Sequence, residues 1–329
     1  MSGPEFTITC VASDRTRPFA MGEAEVEGCT LRMQFGEPEA IFREALNTHR
    51  FEITELSMAS HIVTTARGDS AYVGVPVFLS RSFRHSAIFV RADSGIETLA
   101  DLRGRNIGLP EYQQTAAMWV RGMMLDGAGV GAADVTWHVG GLNAPSPGER
   151  IALSLPPEIT VRTLAGEETL DAMLLDGRLD AIVSPRVPAS LLGGDPRVRR
   201  LFPDLQAAEM AYYRETGFFP IMHCLAVRRD VAEAHPWLPE ALYTAFSEVK
   251  RRRQAEMALT NVLRVSLPWI THHLAETLEL TDGDPWPYGF SRNRAELDAM
   301  TRYAHADGIA VRKVAPEELF HPSTHGVSD

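Results

Sequence analysis

Two histidines lie at or beside apolar, extended segments and could move protons. His85 follows an apolar run that ends near Leu79, and His223 lies inside the run 221–227. Imidazole, with a reference pKa of about 6.5, can act as either acid or base near neutral pH. We therefore predict that His85 and His223 share the two roles of a proton-transfer reaction, with the assignment between them left open. A buried, purely structural histidine is the alternative for each.

Arginines and hydroxyl groups follow the predicted strands, at the position where open α/β sheets bind their ligands. Because a guanidinium group binds a carboxylate through paired N–H donors, this composition predicts a small carboxylated ligand. For Arg15, Arg81 and Arg84 the alternative is an arginine at the surface that is solvated or ion-paired. The candidate binding residues of this kind are Arg15, Arg81, Arg84, Arg186, Ser57 and Ser184.

A helix start near residue 115 adds an anion-binding element. The segment PEYQQTAAMW predicts a strand that ends at Pro110 and a helix that begins near Thr115. Free backbone N–H groups and the positive end of the helix dipole would then face the ligand, with Gln113, Gln114 and Thr115 as further donors. The alternative is that Gln114 or Thr115 only caps the helix. This set of groups favours a small carboxylate over a phosphate ester or a polymer.

Other catalytic chemistries lack their sequence motifs. The chain has no GxGxxG after a strand, no GK[ST] and no GxSxG, so a dinucleotide site, a phosphate loop and a nucleophile elbow are disfavoured. Cys10, Cys29 and Cys224 are too few and too scattered for a disulfide framework, and we expect them to be reduced and inert. His272 and His273 are adjacent rather than at metal-ligand spacing, so no metal site is predicted.

The elements that must position these side chains alternate between strands and helices. Strands at 6–11, 31–35 and 51–56, with an amphipathic helix before the last, predict a βαβ unit of a mostly parallel sheet. Further strands are predicted at 73–79, 86–90, 180–184 and 221–227, and further helices at 115–126, 169–176, from 238 onward and at 293–305. We predict an α/β fold of two lobes with a cleft and two hinge crossovers between them. Residues 1–90 and 223–329 would form lobe one with the C-terminal helices, and residues 91–222 lobe two.

Charge and hydropathy narrow the classes of partner. The 329 residues carry 32 Lys and Arg against 43 Asp and Glu, a formal net charge of -11, which disfavours nucleic acid and anionic membranes as partners. No apolar run approaches the roughly 18 residues of a membrane span, and the first residues do not resemble an export signal. We therefore expect a cytoplasmic protein with a small-molecule ligand. Self-association through the C-terminal helices remains open.

Several longer segments resemble known families. The DLRGRNIGLP crossover and LLDGRLDAIVSP resemble the type II periplasmic-binding-protein fold. More narrowly, PVFLSRSFRHSAIFVRADSGI, PEYQQTAAMWVRGMM, HPWLPEALYTAF, DPWPYGFSRNR and EELFHPST are similar to the 4,5-dihydroxyphthalate decarboxylase family, from about residue 6 to about residue 324. The resemblance implies that one carboxylate leaves 4,5-dihydroxyphthalate or a close relative to give 3,4-dihydroxybenzoate and CO2. No redox or covalent cofactor is needed, and a divalent ion on the phenolic oxygens remains open.

The implied reaction assigns roles to the candidates. A base must take the proton of the hydroxyl para to the departing carboxylate, and an acid must protonate the ring carbon, which are the roles of His85 and His223. The arginines should hold the carboxylate that stays, because gripping the departing one would stabilise the ground state more than the transition state. Arg81 or Arg84 from lobe one and Arg186 from lobe two are expected there. A solute-binding protein for an aromatic carboxylate is the main alternative function, and a regulator's effector domain is a third.

Overall fold

Eleven strands within the described residues form two sheets. The structure, a computed structural model, describes residues 3–146 and 148–327. The first sheet contains β1 (Glu5–Cys10), β2 (Thr30–Phe35), β3 (Ile53–Ser57), β4 (Tyr72–Arg81) and β11 (Ile221–Arg228). The second sheet contains β5 (Ile88–Arg91), β6 (Asn106–Leu109), β7 (Thr136–Val139), β8 (Thr160–Thr163), β9 (Ala181–Val183) and β10 (Val198–Arg200). Each sheet is the centre of one lobe.

Helices cover the sheets and connect the strands. The α-helices are α1 (Arg17–Ala20), α2 (Pro38–Thr48), α3 (Met58–Arg67), α4 (Thr115–Ala128), α5 (Leu170–Leu175), α6 (Ala189–Leu192), α7 (Leu205–Thr216), α8 (Arg229–Ala234), α9 (Leu238–Met257), α10 (Ile270–Leu280) and α11 (Arg294–Ala306). Single 3-10 turns occur at His85–Ala87, Leu99–Leu102, Ala132–Asp134, Ser291–Asn293, Pro316–Leu319 and Pro322–Thr324. Within the described residues, no helix combines the length and the apolar character that crossing a membrane requires.

The strand order explains how the two lobes are joined. The first sheet has the order β2-β1-β3-β11-β4, and the second has the order β10-β5-β9-β6-β7-β8. In the first sheet β11 is inserted antiparallel between β3 and β4, although it follows the whole second sheet in the chain. The chain therefore crosses between the lobes twice, at residues 82–87 and at residues 201–220. These features confirm the predicted two-lobed α/β class; among the elements not anticipated from the sequence are β7, β8, β10 and α7.

Two helices bring their N-termini to the junction of the lobes. In lobe one α3 begins directly after β3, and in lobe two α4 begins shortly after β6. The apolar residues of α4 at helical spacing are core, because Ala116, Trp119, Val120, Met123 and Met124 are buried. The Trp119 indole N–H donates to the carbonyl of Ile221 at 2.8 Å, which ties α4 to the start of β11. The helix starts are consequently held at a fixed distance from the strand that carries His223.

The C-terminal segments cover the outer edge of β4. The amide of Gly289 donates to the carbonyl of Pro76 at 2.9 Å, and Phe320 forms a β-bridge with Gly74. A Cβ at position 74 would lie 2.7 Å from the carbonyl oxygen of Leu319, so only glycine allows this close approach. An otherwise unpaired strand edge is thereby protected. The same packing buries the end of β4, which decides the environment of Arg81.

Candidate active site

A histidine and a glutamate from neighbouring strands form a hydrogen-bonded pair. His223 on β11 lies opposite Ser57 in the register with β3, and its Nδ1–H donates to Oε1 of Glu55 at 2.7 Å. The other oxygen of Glu55, Oε2, accepts the backbone N–H of Val11 at 2.8 Å. The Glu55 side chain is only 2% exposed. A carboxylate with both oxygens occupied in this way fixes the orientation of the imidazole ring.

The free side of the His223 ring can act as a base. Because Nδ1 carries the hydrogen that it donates in the hydrogen bond to Glu55, the lone pair of the neutral ring is on Nε2. Within the described residues, Nδ1 alone of the two ring nitrogens has a hydrogen-bond partner, and the side chain keeps 18% exposure. The ring of Phe42 packs edge-on at 4.6 Å between centroids. Carboxylate, imidazole and aromatic wall together form a site that can take a proton from a phenol.

The N-termini of α3 and α4 meet beside this pair. Ser57, which precedes α3, has its Oγ 2.9 Å from Oγ1 of Thr115, the first residue of α4. Oγ1 of Thr115 also accepts the N–H of Ala59 at 3.1 Å. Neither Ser57 nor Gln114 uses its side chain to cap the helix that it precedes. Two positive helix ends therefore converge at one point, which favours a negatively charged ligand group there.

Two arginines converge on one buried carboxylate at the same junction. Glu111 accepts from Arg150 at 2.5 Å and from Arg43 at 3.4 Å. It also accepts from the side-chain amide of Gln113 at 3.2 Å. The guanidinium of Arg150 lies over the Phe42 ring, with 5.5 Å between the central guanidinium carbon and the ring centroid. Arg43 belongs to lobe one and Arg150 to lobe two, so a carboxylate bound between them would be held by both lobes.

These contacts connect into one group of side chains, which we call the interlobe cluster. Its two carboxylates and two guanidinium groups balance in formal charge. The cluster consists of Phe42, Arg43, Glu55, Ser57, Glu111, Gln113, Thr115, Arg150 and His223. Within residues 3–146 and 148–327, no group of three or more His, Cys, Asp and Glu side chains could hold a metal ion.

Four residues that the sequence predicted belong to this cluster, and three others do not. His223, Ser57, Gln113 and Thr115 are members, and the side chain of Gln113 also accepts from the Ser60 hydroxyl at 2.7 Å. The predicted residues Gln114, Ser184 and Arg186 are not members. The Gln114 amide oxygen is buried and has no partner among the described residues, while the Ser184 hydroxyl accepts the N–H of Arg186 at 3.1 Å. The side chain of Arg186 is 66% exposed and pairs with Glu39 of lobe one at 2.9 Å, so it lies at the surface.

Arg81 does not reach the interlobe cluster, and its predicted role as a carboxylate clamp is wrong. Its side chain is fully buried and pairs with Glu296 of α11 at 3.0 Å. The same guanidinium donates to the carbonyls of Phe219 at 2.6 Å and Pro287 at 2.8 Å, and to the side-chain oxygen of Asn293. Its two terminal nitrogens are therefore occupied within the protein, so no terminal donor remains for a ligand.

His85 and Arg84 lie on the first crossover, and the contacts that they make among the described residues do not include a member of the interlobe cluster. The His85 ring packs against Phe202 at 5.0 Å and Tyr212 at 5.2 Å, and burial lowers its pKa to about 4. A ring with that pKa is neutral at neutral pH and is enclosed by aromatic side chains. The structure therefore does not support the predicted sharing of proton transfer by His85 and His223. Arg84 donates from Nε to the sulfur of Met222 at 3.0 Å, and burial lowers its pKa to about 10.

Arg15 lines a different cavity. Its guanidinium stacks on Trp286 at 4.2 Å and donates to the carbonyl of Leu79 at 3.1 Å and to Asp14 at 2.6 Å. The cavity, of about 290 Å³, lies against α9 and α10 and contains Leu274 and His273 in its wall. None of the residues of the interlobe cluster lines it. The predicted binding residue Arg15 is consequently separate from the His223–Glu55 pair.

Comparisons with known proteins extend over both lobes. The family described as "ABC transporter, phosphonate, periplasmic substrate-binding protein" matches residues 19–142. Over 324 residues the chain is 40% identical to a 4,5-dihydroxyphthalate decarboxylase of Comamonas testosteroni, covering 98% of this chain and 98% of that protein. Over 204 residues it is 43% identical to a 4,5-dihydroxyphthalate decarboxylase of Pseudomonas putida, covering 62% of this chain and 79% of that protein.

Solved structures of low sequence identity share the architecture. The periplasmic aliphatic sulphonate binding protein SsuA from Escherichia coli superposes with a TM-score of 0.53 at 14% identity, covering 98% of this chain and 99% of that one. The desulfurization enzyme DSZB superposes with a TM-score of 0.52 at 12% identity, covering 98% and 97%. At such identities the likeness shows the fold alone, and it confirms the two-lobed binding-protein architecture.

Proposed function

Because this chain belongs to the 4,5-dihydroxyphthalate decarboxylase family, we propose that it converts 4,5-dihydroxyphthalate to 3,4-dihydroxybenzoate and CO2 in the interlobe cluster. The observation that carries the proposal is the pairing of His223 with Glu55 beside two helix N-termini and two arginines. A protein that only bound an aromatic carboxylate would need the positive groups but not an oriented base.

The proposed chemistry starts at the hydroxyl para to the departing carboxylate. Nε2 of His223 takes the phenolic proton, and Glu55 stabilises the imidazolium that forms. Electron density then moves to the ring carbon that bears the departing group. Protonation of that carbon gives a dienone, from which CO2 leaves as the ring becomes aromatic again. Phe42, edge-on to the imidazole, provides an apolar wall for the substrate ring.

The proposed substrate position also assigns the positive groups. Arg150 and Arg43 hold the carboxylate that stays on the ring, in place of part of their contact with Glu111. The arginines thus contribute to binding before and after CO2 is lost, since their ligand keeps its charge throughout. The carboxylate that departs has no guanidinium partner in this arrangement. No ion pair therefore has to be broken when this carboxylate becomes neutral CO2.

A direct assay tests the function. Purified protein incubated with 4,5-dihydroxyphthalate is expected to release CO2 and form 3,4-dihydroxybenzoate in equal amounts, measured with and without a chelator. Tight binding of the substrate with no CO2 would instead support a solute-binding protein. Loss of CO2 release on chelation would add a divalent ion to the mechanism.

Replacing Arg150 by Met is expected to weaken substrate binding. A hydrogen bond to a charged group contributes about 1.5–3 kcal/mol, so KM should rise roughly 10- to 100-fold while kcat changes less. Steady-state kinetics on the substrate check this. Arg162→Met, which removes an exposed arginine of the same lobe, is the matched control and should behave as the unaltered protein. An unchanged KM in Arg150→Met would place the clamp elsewhere.

A further inference from the structure

The proposed mechanism has a base but lacks an acid for the ring carbon. His223 takes the phenolic proton, and His85 is enclosed between Phe202 and Tyr212 on the crossover. A second proton-transfer group must therefore come from another residue at the lobe junction. The connection between β7 and β8 contributes one, because residues 148–150 of this connection bind three parts of the junction.

Residues 148–150, in the connection between β7 and β8, each make a contact at the lobe junction. The carbonyl of Gly148 accepts from Arg43 of lobe one at 3.1 Å. Oε1 of Glu149 accepts the backbone N–H of Tyr112, in the turn that leads into α4. Arg150 pairs with Glu111 and lies over Phe42. Glu149 is thus held between two residues that contact the arginine and aromatic parts of the interlobe cluster.

One oxygen of Glu149 has no partner. Oε2 is buried and makes no hydrogen bond within the described residues. The amide oxygen of Gln114, two residues after Tyr112 and directly before α4, is likewise buried and has no partner in the described part of the chain. Buried polar atoms are normally satisfied, and exceptions call for an explanation such as a missing ligand. A substrate hydroxyl group can donate to the Gln114 oxygen, which only accepts, and Oε2 of Glu149 accepts when ionised and donates when protonated.

The charges around Glu149 come from several elements. Glu111 precedes the turn, Arg150 is the next residue, and Arg121 of α4 faces the turn with its guanidinium 4.1 Å over the Tyr112 ring. Arg121 is in turn paired with Asp307 at 2.7 Å. Burial raises the pKa of Glu149 to about 7, and the nearby negative charge of Glu111 adds to the rise; the backbone N–H groups of Tyr112 and Gln113 and the charge of Arg121 oppose it. Glu149 is therefore held in a buried environment that favours its protonated form, whereas Glu111 lies beside two guanidinium groups.

We propose that Glu149 is the acid that protonates the ring carbon from which the carboxylate departs. The inference rests on the proposed function. The Oε2–H bond breaks and a C–H bond forms on that carbon, with the electron pair supplied by the phenolate that His223 generates. The C–COO⁻ bond then breaks and its electron pair restores the aromatic ring. His223 returns its proton to the phenolate, and Glu149 regains a proton from water, so one proton is consumed for each CO2 released.

The test uses Glu149→Gln, which keeps the size of the side chain and an acceptor for the Tyr112 N–H but has no transferable acidic proton. We expect kcat to fall about 100-fold, the low end for general acid catalysis, with little change in the affinity for 3,4-dihydroxybenzoate. Glu149→Asp should keep part of the activity. Glu158→Gln removes an exposed carboxylate near the end of the same connection and is the matched control.

Two measurements separate catalysis from a structural role. In D2O the unaltered protein should exchange the C6 proton of 3,4-dihydroxybenzoate, because the same acid can add a deuteron to C6 and then take back the original proton, and Glu149→Gln should not. The kcat of the unaltered protein should also fall as pH rises through about 7, because the acid must be protonated, and this fall should persist in Glu149→Asp.

The outcomes distinguish the inference from the function on which it rests. Release of CO2 by the unaltered protein together with full activity and full exchange in Glu149→Gln would overturn the inference alone. Absence of a high-pH fall in the unaltered protein would also overturn it, even if Glu149→Gln did not fold. No CO2 release by the unaltered protein would reject the proposed function itself.

Discussion

Replacing His223 by Asn is expected to lower kcat about 1000-fold, within the range for loss of a general base. Asn lacks the Nε2 lone pair that takes the phenolic proton, yet it is polar and smaller, so β11 should keep its pairing with β3. Substrate affinity should change little, because the arginines and helix N-termini remain. Single-turnover kinetics and binding of 3,4-dihydroxybenzoate measure the two effects separately.

Two companion variants locate this effect in the pair. Glu55→Gln should also lower kcat, since a neutral amide stabilises the imidazolium less and can favour the wrong tautomer. His85→Phe, which fits the aromatic contacts of Phe202 and Tyr212, should leave kcat nearly unchanged. If His85→Phe abolished turnover while His223→Asn did not, the roles assigned to the two histidines would have to be exchanged.

Replacing Arg81 by Met is expected to destabilise the protein by about 3–5 kcal/mol, the usual cost of removing one partner of a buried ion pair. Glu296 would lose its guanidinium while remaining buried, and among the described residues only the N–H of Ile221 at 2.6 Å would still donate to it. The carbonyls of Phe219 and Pro287 would lose their donor as well. Denaturant unfolding, analysed for the shift of the midpoint, measures the loss.

A double variant tests whether loss of the Arg81–Glu296 ion pair causes the expected destabilisation. Arg81→Met combined with Glu296→Gln should cost less than the sum of the two single changes, because the second change removes the uncompensated charge. The folded fraction of Arg81→Met should keep an ordinary KM for the substrate. A stable Arg81→Met protein with a strongly raised KM would return Arg81 to the binding site.

The parts of the site that lie at element ends were predictable from sequence. Ser57, Gln113 and Thr115 lie at or after the ends of strands, and the rule that ligands bind outside the carboxyl ends of strands applies to them. His223 lies near the start of β11, which brings it to the same edge of the sheet because β11 is antiparallel to β3. The fold class followed from the alternation of strand and helix patterns for the same reason. Those sequence signals are local, so they can be interpreted without knowing which strands pair with each other.

The remaining cluster residues depend on long-range pairing. Glu55 lies within five consecutive buried residues of β3, and only the insertion of β11 beside it supplies His223 as its partner. Arg43 and Arg150 come from a helix and an irregular connection in different lobes, with no shared local pattern. One signal was available: a glutamate in the middle of an apolar strand is a buried charge that requires a partner.

The unanticipated environments of Arg81 and His85 have a common physical cause. A strand end predicts that a polar residue is near the edge of the sheet, but not which neighbouring element covers it. At the end of β4, residues 287–296 cover Arg81, and α7 together with Phe202 covers His85. Both of these covering segments come after β10, the last strand of the second sheet, in the chain.

The position of β11 in the first sheet also sets the order in which the site can be completed during synthesis. The N-terminal segment emerges from the ribosome first, yet β3 and β4 lack the strand between them until residue 228 has been made. The second sheet is fully translated before that moment and is free to fold as a unit. Docking of β11 therefore closes the first sheet and delivers the imidazole to its carboxylate in one late event, so nascent chains stopped short of this strand would be without catalytic capacity.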